Sequence, residues 1–222
     1  MVYVYGNFDV SVDGILEKIA LAAAEENVKT IACGEGGNAV SLRLGEGGTD
    51  TDNLFPFDPG EAAIDIIGET VLCSDAVVTD LSGDVETTKF VVSAVKKKHA
   101  KVVLAFFGFA VPEAVACHAD AAVVTAAAAE KITGFSLGSE VGVALVVGGM
   151  YSVGLKNVVI VSPDDIIVAV GDEITYFDKK ESFDGAKFVA QITKDIADGR
   201  SAKEAIGLAI GQTHIYIGDR IK

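Results

Sequence analysis

From Val77 to Val85 the chain reads Val-Val-Thr-Asp-Leu-Ser-Gly-Asp-Val, which crowds Thr79, Asp80, Ser82 and Asp84 into one corner. Two acids among hydroxyls suit a ribose diol, an amine, or a divalent metal that bridges to phosphate. A carboxyl pushed toward neutrality by its neighbour can also act as a general acid or base. Asp80 is the first candidate for that role and Asp84 the second, with Ser82 and Gly83 as ligand contacts. A plainer reading competes: Ser82 or Asp84 makes a good N-cap for a helix starting near Val85.

Other clusters carry weaker chemistry. Gly34-Glu-Gly-Gly-Asn38 has the glycines of a phosphate loop without the spacing, and the alternation that follows it reads as a strand. A hairpin tip is the better reading, with Gly36 and Gly37 as backbone contacts and Glu35 beside Cys33 as a site element. Asp50 and Asp52, with Asp58 further on, alternate like a calcium loop but lack its central glycine and closing glutamate. They are the candidate metal residues, and a divalent metal is the candidate cofactor. Cys117 and His118 are adjacent, so on a helix they diverge and form no dyad. His99 reads as a helix end and His214 has no clear place, so no hydrolytic triad is supported.

The elements that would position these groups follow from periodicity. Val2–Tyr5 reads as a strand, with Ser11 or Asp13 capping a helix that runs to about Asn27. Thr30–Cys33 and Ala39–Leu44 read as a hairpin. Gly45–Gly60 reads as one long irregular stretch, a candidate lid. A regular alternation follows: helix from about Glu61 to Leu72, strand Ala76–Asp80, helix to His99, strand Lys101–Phe107, and a short helix from Pro112. It continues with strand Ala121–Thr125, a long helical region from Ala127 to about Ser152, and strand Asn157–Ser162. Such alternation implies right-handed crossovers in a parallel sheet. Asp165–Val170 and Glu173–Phe177 flank a Gly-Asp hairpin turn. Two further helices come next, with a terminal strand at His214–Ile217.

The expected fold is therefore a three-layer α/β domain with a mainly parallel, Rossmann-like sheet and antiparallel hairpins near both chain ends. It spans residues 1–222 as a single domain: residues 1–60 as hairpin and loop, 61–162 as parallel core, and 163–222 as hairpin and terminal helices. Ligands of such sheets bind beyond the carboxyl ends of the strands. That rule adds Gly108, Thr125 and Ser162 to the ligand-binding candidates. Glycines at 134, 138 and 142 fall on one face if the region around them is a single helix, which would permit close packing or a subunit interface. Glu140 is the lone charge in that stretch.

Composition narrows the function classes. Of 222 residues, 32 are acids and 18 are Lys or Arg, giving a formal charge of −14. That field repels nucleic acid, and no basic stripe with interleaved aromatics opposes it. Lys96-Lys97-Lys98, the only basic run, complements a helix C-terminus. Mean hydropathy is +0.41, yet the longest uncharged run, Val141–Leu155, is shorter than the roughly 20 residues of a membrane span. No stretch reads as a secretory leader, and three cysteines without CxxC spacing suit a reducing compartment. The expectation is a cytoplasmic enzyme acting on a small anionic or nucleotide-like metabolite, with no nucleic-acid or membrane partner. Its rival is a non-catalytic, homo-oligomeric ligand-binding or assembly protein.

Overall fold

In the computed structural model the described residues are 1–36, 52–57, 63–108 and 110–212, without the side chains of residues 57, 63 and 64. The strands are β1 (Val2–Tyr5), β2 (Thr30–Cys33), β3 (Leu54–Phe57), β4 (Ala76–Thr79), β5 (Lys101–Ala105), β6 (Ala121–Thr125), β7 (Asn157–Val161), β8 (Asp165–Val170) and β9 (Glu173–Asp178). The described strands form one nine-stranded sheet in the order β3-β2-β1-β4-β5-β6-β7-β8-β9. Every pairing from β3 to β7 is parallel, and β7–β8 and β8–β9 are antiparallel. The expected parallel core of four strands is thus extended by β1, β2 and β3. Its central register holds: Val78 lies beside Val103, and Val123 beside Val159.

Continuous Val, Ile and Ala runs form these strands because both faces of the sheet are covered. Alternate residues serve opposite layers. Val2, Val4, Val78 and Val103 pack under α1 (Ile15–Glu25), α7 (Gly185–Ala197) and α8 (Ala202–Gln212). Tyr3, Val77, Val102 and Leu104 pack under α2 (Ala63–Thr70), α3 (Val85–Lys97) and α6 (Glu140–Ser152). Two short helices, α4 (Glu113–Ala116) and α5 (Ala126–Thr133), complete the second layer. Leu16, Ile19, Phe188 and Ile192 are fully buried, each contributing about 1.5–3 kcal/mol by leaving water.

Three expectations change. The stretch Gly45–Gly60 is not irregular throughout, because β3 lies in it and pairs with β2, Pro56 beside Ala32. Pro56 hid the strand; at the end of the described order its missing N–H costs no ladder bond. The region 127–152 is two helices. Gly134, at φ +75°, ends α5 in a left-handed cap, and the side chain of Ser139 accepts from the Gly142 N–H to start α6. Glu130 locks the break by accepting from the Leu137 N–H at 2.7 Å and the Ser136 hydroxyl at 3.0 Å. Gly134, Gly138 and Gly142 therefore share no helix face, and Glu140 is an exposed first-turn residue. The expected hairpin partner of β2 at residues 39–44 and the strand at 214–217 lie outside the described residues. So do Gly37, Asp50, Asp58 and His214.

Candidate functional site at the ends of β1 and β4

From β1 the chain steps to β2 and β3 on one side, and β4 lies on the other. The strand order therefore reverses direction between β1 and β4, the place where open α/β sheets part to admit a ligand. The β1 exit is Gly6-Asn7, and the β4 exit is Asp80-Leu-Ser-Gly83. Close packing joins them. A Cβ on Gly6 would stand 2.9 Å from Ser82 Oγ and 3.0 Å from Asp80 Oδ1. On the other side, a Cβ on Gly34 would overlap the Gly6 carbonyl oxygen. Only glycine lets the three exits meet.

A continuous chain of hydrogen bonds crosses this corner. Asp80 is buried, and its Oδ1 accepts from both the Ser82 hydroxyl and the Ser82 N–H, the latter at 2.9 Å. Ser82 Oγ in turn accepts from the Asn7 N–H at 3.0 Å. Asn7 Nδ2 donates to Glu35 Oε2 at 2.8 Å. Glu35 stands at the β2 exit, where the Phe8 N–H donates to its carbonyl at 2.9 Å. Asp80 Oδ2 takes no donor among the described residues. Next to Leu81, a small apolar niche of about 70 Å³ opens between Val85, Ala110 and Pro112.

The backbone is strained at the same edge. Leu81 at φ +62° and Phe106 at φ +52°, just beyond β4 and β5, occupy the left-handed region. Bulky residues rarely sit there, at a cost of about 1–3 kcal/mol each, and such outliers cluster at ligand sites. The Leu81 N–H is held by Thr79 Oγ1 at 3.1 Å. Phe106 packs so that a Cβ on Gly185 would come within 2.7 Å of its ring, which brings the N-terminus of α7 to this edge. Asp184 caps that helix by accepting from the Ala186 and Lys187 N–H groups.

The sequence-derived candidates sort by environment. Asp80 and Ser82 belong to the corner, and Gly83 lies against Tyr5, whose hydroxyl would be 3.3 Å from an added Cβ. Gly36 lies against Asp9 at the β2 exit. Asp84 is the N-cap of α3, accepting from the Thr87 N–H at 2.9 Å and the Thr87 hydroxyl at 3.0 Å. Those bonds hold its carboxyl below the ordinary range, so it stays ionised in a structural role. Thr125 caps α5 by accepting from the Ala128 N–H at 3.3 Å, which leaves its own proton free to donate. Ser162 Oγ is used within its own turn, accepting from the Asp165 N–H and donating to the Asp165 carbonyl. Gly108 has open space where a Cβ would be.

Among the described residues no group of three or more His, Cys, Asp or Glu side chains could hold a metal. Asp52 is exposed in a turn. Burial pushes the Cys33 thiol up to about 12, so the residue beside Glu35 is an inert core thiol and not a nucleophile. His99 and Cys117 are exposed at helix ends.

Asn7 is the residue that sequence reasoning missed. Val2–Tyr5 reads as a short strand, and nothing local shows that it runs parallel beside β4, so its exit does not stand out with those of the later strands. Counting Val-Tyr-Val-Tyr-Gly-Asn as a parallel strand and its exit would have found it.

No protein-family model and no curated protein matches the sequence. Among solved structures, the chain resembles a ribokinase from Arabidopsis thaliana complexed with ribose and ATP. That match has a TM-score of 0.67 at 14% identity and covers 90% of this chain and 79% of that one. The pyridoxal kinase of Staphylococcus aureus in complex with AMP-PCP and pyridoxal gives 0.62 at 16% identity, over 96% of this chain and 85% of the other. The tetrameric inhibited form of phosphofructokinase-2 from Escherichia coli gives 0.65 at 13% identity, over 90% and 80%. At these identities the likeness is one of fold: a three-layer α/β architecture with a mostly parallel sheet, shared with kinases of small metabolites.

Proposed function

We propose that the chain is a small-molecule enzyme that holds a hydroxyl-bearing metabolite between the exits of β1 and β4 and transfers a phosphoryl group to it. The observation that carries this reading is Asp80, a buried carboxylate at the point where the strand order reverses, with one oxygen saturated by Ser82 and the other without a donor among the described residues. A carboxylate so placed accepts a hydrogen bond from a substrate hydroxyl. It can take that proton as the hydroxyl oxygen attacks the terminal phosphorus of a nucleoside triphosphate and the diphosphate leaves. Asn7 and Glu35 supply further polar contacts.

The acids of this corner repel phosphate, so they select the hydroxyl end of the reaction. The nucleotide belongs farther along the rim, toward Gly108 and Thr125, where Thr125 keeps a proton to donate. The kinase neighbours, among them proteins bound to ribose with ATP and to pyridoxal with AMP-PCP, support the same reaction class. The described residues build no metal cage; a divalent ion would enter with the nucleotide phosphates, held mainly by them and by water. A reducing, cytoplasmic setting fits three free cysteines.

The test is nucleotide turnover with ribose, pyridoxal and related hydroxylated metabolites as acceptors. Asp80→Asn is expected to lower kcat by about 100-fold or more while leaving the melting temperature within a few degrees. No turnover with any acceptor, or turnover indifferent to Asp80→Asn, would overturn the reading.

A second reading, a non-catalytic homo-oligomer, is favoured by one observation. On α6, Val141 and Leu145 are 71% and 46% exposed one turn apart, an apolar stripe on the outer layer. Leu145→Glu tests it by sedimentation, and dispersal of an assembly without loss of folding supports it.

A further inference from the structure

The opposite edge of the sheet, where the strands begin, holds a cavity of about 330 Å³ between the starts of β5, β6 and β7 and the α7–α8 junction. Four cationic side chains line it: Lys96 at the end of α3, Lys101 opening β5, Lys156 preceding β7, and Arg200 after α7. Among the described residues of its wall the one carboxylate is Asp120, which bonds Lys96 at 2.8 Å and stands 3.8 Å from Lys101. Arg200 meets Asp195 at 3.2 Å. Lys156 has no partner among the described residues. Cys117, exposed, lies in the same wall.

This concentration is unexpected in a chain with 32 acids and 18 Lys and Arg residues. Lys96 and Lys101 share Asp120 and Arg200 meets Asp195, so four cations face two carboxylates and the concave space keeps a net positive charge, with Lys156 unpaired among the described residues. The helix-end explanation of the Lys96-Lys97-Lys98 run accounts for Lys97, which stays outside the cavity. It covers Lys96 as well, in the same last turn, but not Lys101, Lys156 and Arg200, which arrive from other segments.

We propose that this cavity is a binding site for a small phosphate-bearing anion, separate from the β1–β4 corner and on the far edge of the sheet. Three lysines converge from three elements as point charges, and Arg200 adds a guanidinium that also matches phosphate oxygens, a set that suits a multiply charged, tetrahedral phosphate group. The volume fits one small metabolite. A compact, open concavity in an acidic protein is not an extended basic track, which argues for a small anion over a nucleic-acid strand.

The experiment uses inorganic pyrophosphate as the probe and alkylation of Cys117 as the local reporter, with exposed Cys73 as internal reference. Pyrophosphate at saturation is expected to slow Cys117 labelling at least about tenfold and to leave Cys73 unchanged. In Lys101→Glu/Lys156→Glu, calorimetric affinity for pyrophosphate is expected to fall at least about tenfold. The neutral Lys101→Gln/Lys156→Gln variant gives a smaller loss and serves if charge reversal disturbs folding. Unchanged Cys117 labelling, unchanged affinity in both variants, or equal protection by citrate would overturn the assignment.

Discussion

Gly6→Ala adds a single methyl group and is expected to disable the candidate site. The φ angle of Gly6 lies outside the left-handed range, so alanine meets no backbone penalty there and the cost is steric alone. The new Cβ would stand 2.6 Å from Leu16 Cδ1, 2.9 Å from Ser82 Oγ and 3.0 Å from Asp80 Oδ1. Real Cβ contacts are longer, so Leu16 must leave its buried rotamer and the Ser82–Asp80 pair must move off β1. Overpacking of this kind costs about 1–3 kcal/mol. Displacing Ser82 also weakens its bonds with the Asn7 N–H and with Asp80, each worth about 0.5–1.5 kcal/mol net. With both bonds lost the sum is about 2–6 kcal/mol, or a fall in Tm of about 4–24 °C for a chain of this size. Urea denaturation measures the first quantity and calorimetry the second. Any metabolite that stabilises the wild type should stabilise Gly6→Ala far less. A variant with unchanged midpoint and unchanged ligand response would refute the packing described for this corner.

Further outcomes follow from other positions. Gly148, exposed within α6, has open space around a Cβ, so Gly148→Ala should stabilise by about 1 kcal/mol. Gly142, on the same helix, would place a Cβ into the Ser136 carbonyl, so Gly142→Ala should destabilise by at least about 2 kcal/mol in urea titration. A bulkier residue at 142 would for the same reason report on folding and not on assembly. In the native protein a maleimide at pH 8 should label Cys73 and Cys117 but spare Cys33, whose thiol is buried and raised to about 12; mass spectrometry counts the adducts. Asp84→Ala should lower Tm at neutral pH. Because the folded-state carboxyl is held below its ordinary range, that stabilisation is present above the unfolded-state pKa and is lost as pH falls through the folded one. The Tm gap between wild type and variant should therefore close in acid.

The parallel core was legible because Ala76–Thr79, Lys101–Ala105, Ala121–Thr125 and Asn157–Val161 are short apolar runs separated by helical periods. Burial on both faces writes itself directly into composition. β3 was not legible, since Phe-Pro-Phe carries a residue that argues against a strand everywhere except at an edge. The break between α5 and α6 was hidden for a different reason. Gly134 and Ser139 fit a continuous helical pattern, and the break shows only in the folded chain, where Gly134 takes a left-handed cap, Ser139 caps α6, and Glu130 reaches Ser136 and Leu137. At the site, Asp80 and Ser82 could be found from local spacing. Asn7 and Glu35 reach them through hydrogen bonds spanning 75 and 28 residues of sequence separation, which only the strand order reveals.

The most direct measurement is backbone amide chemical-shift mapping on titration with ribose, with pyridoxal and with any acceptor that gives turnover. The expected result is a contiguous set of shifts at Gly6, Asn7, Glu35, Ser82 and Gly83, absent in Asp80→Asn. Shifts confined to other edges of the sheet, or a response that survives Asp80→Asn intact, would contradict a site between β1 and β4.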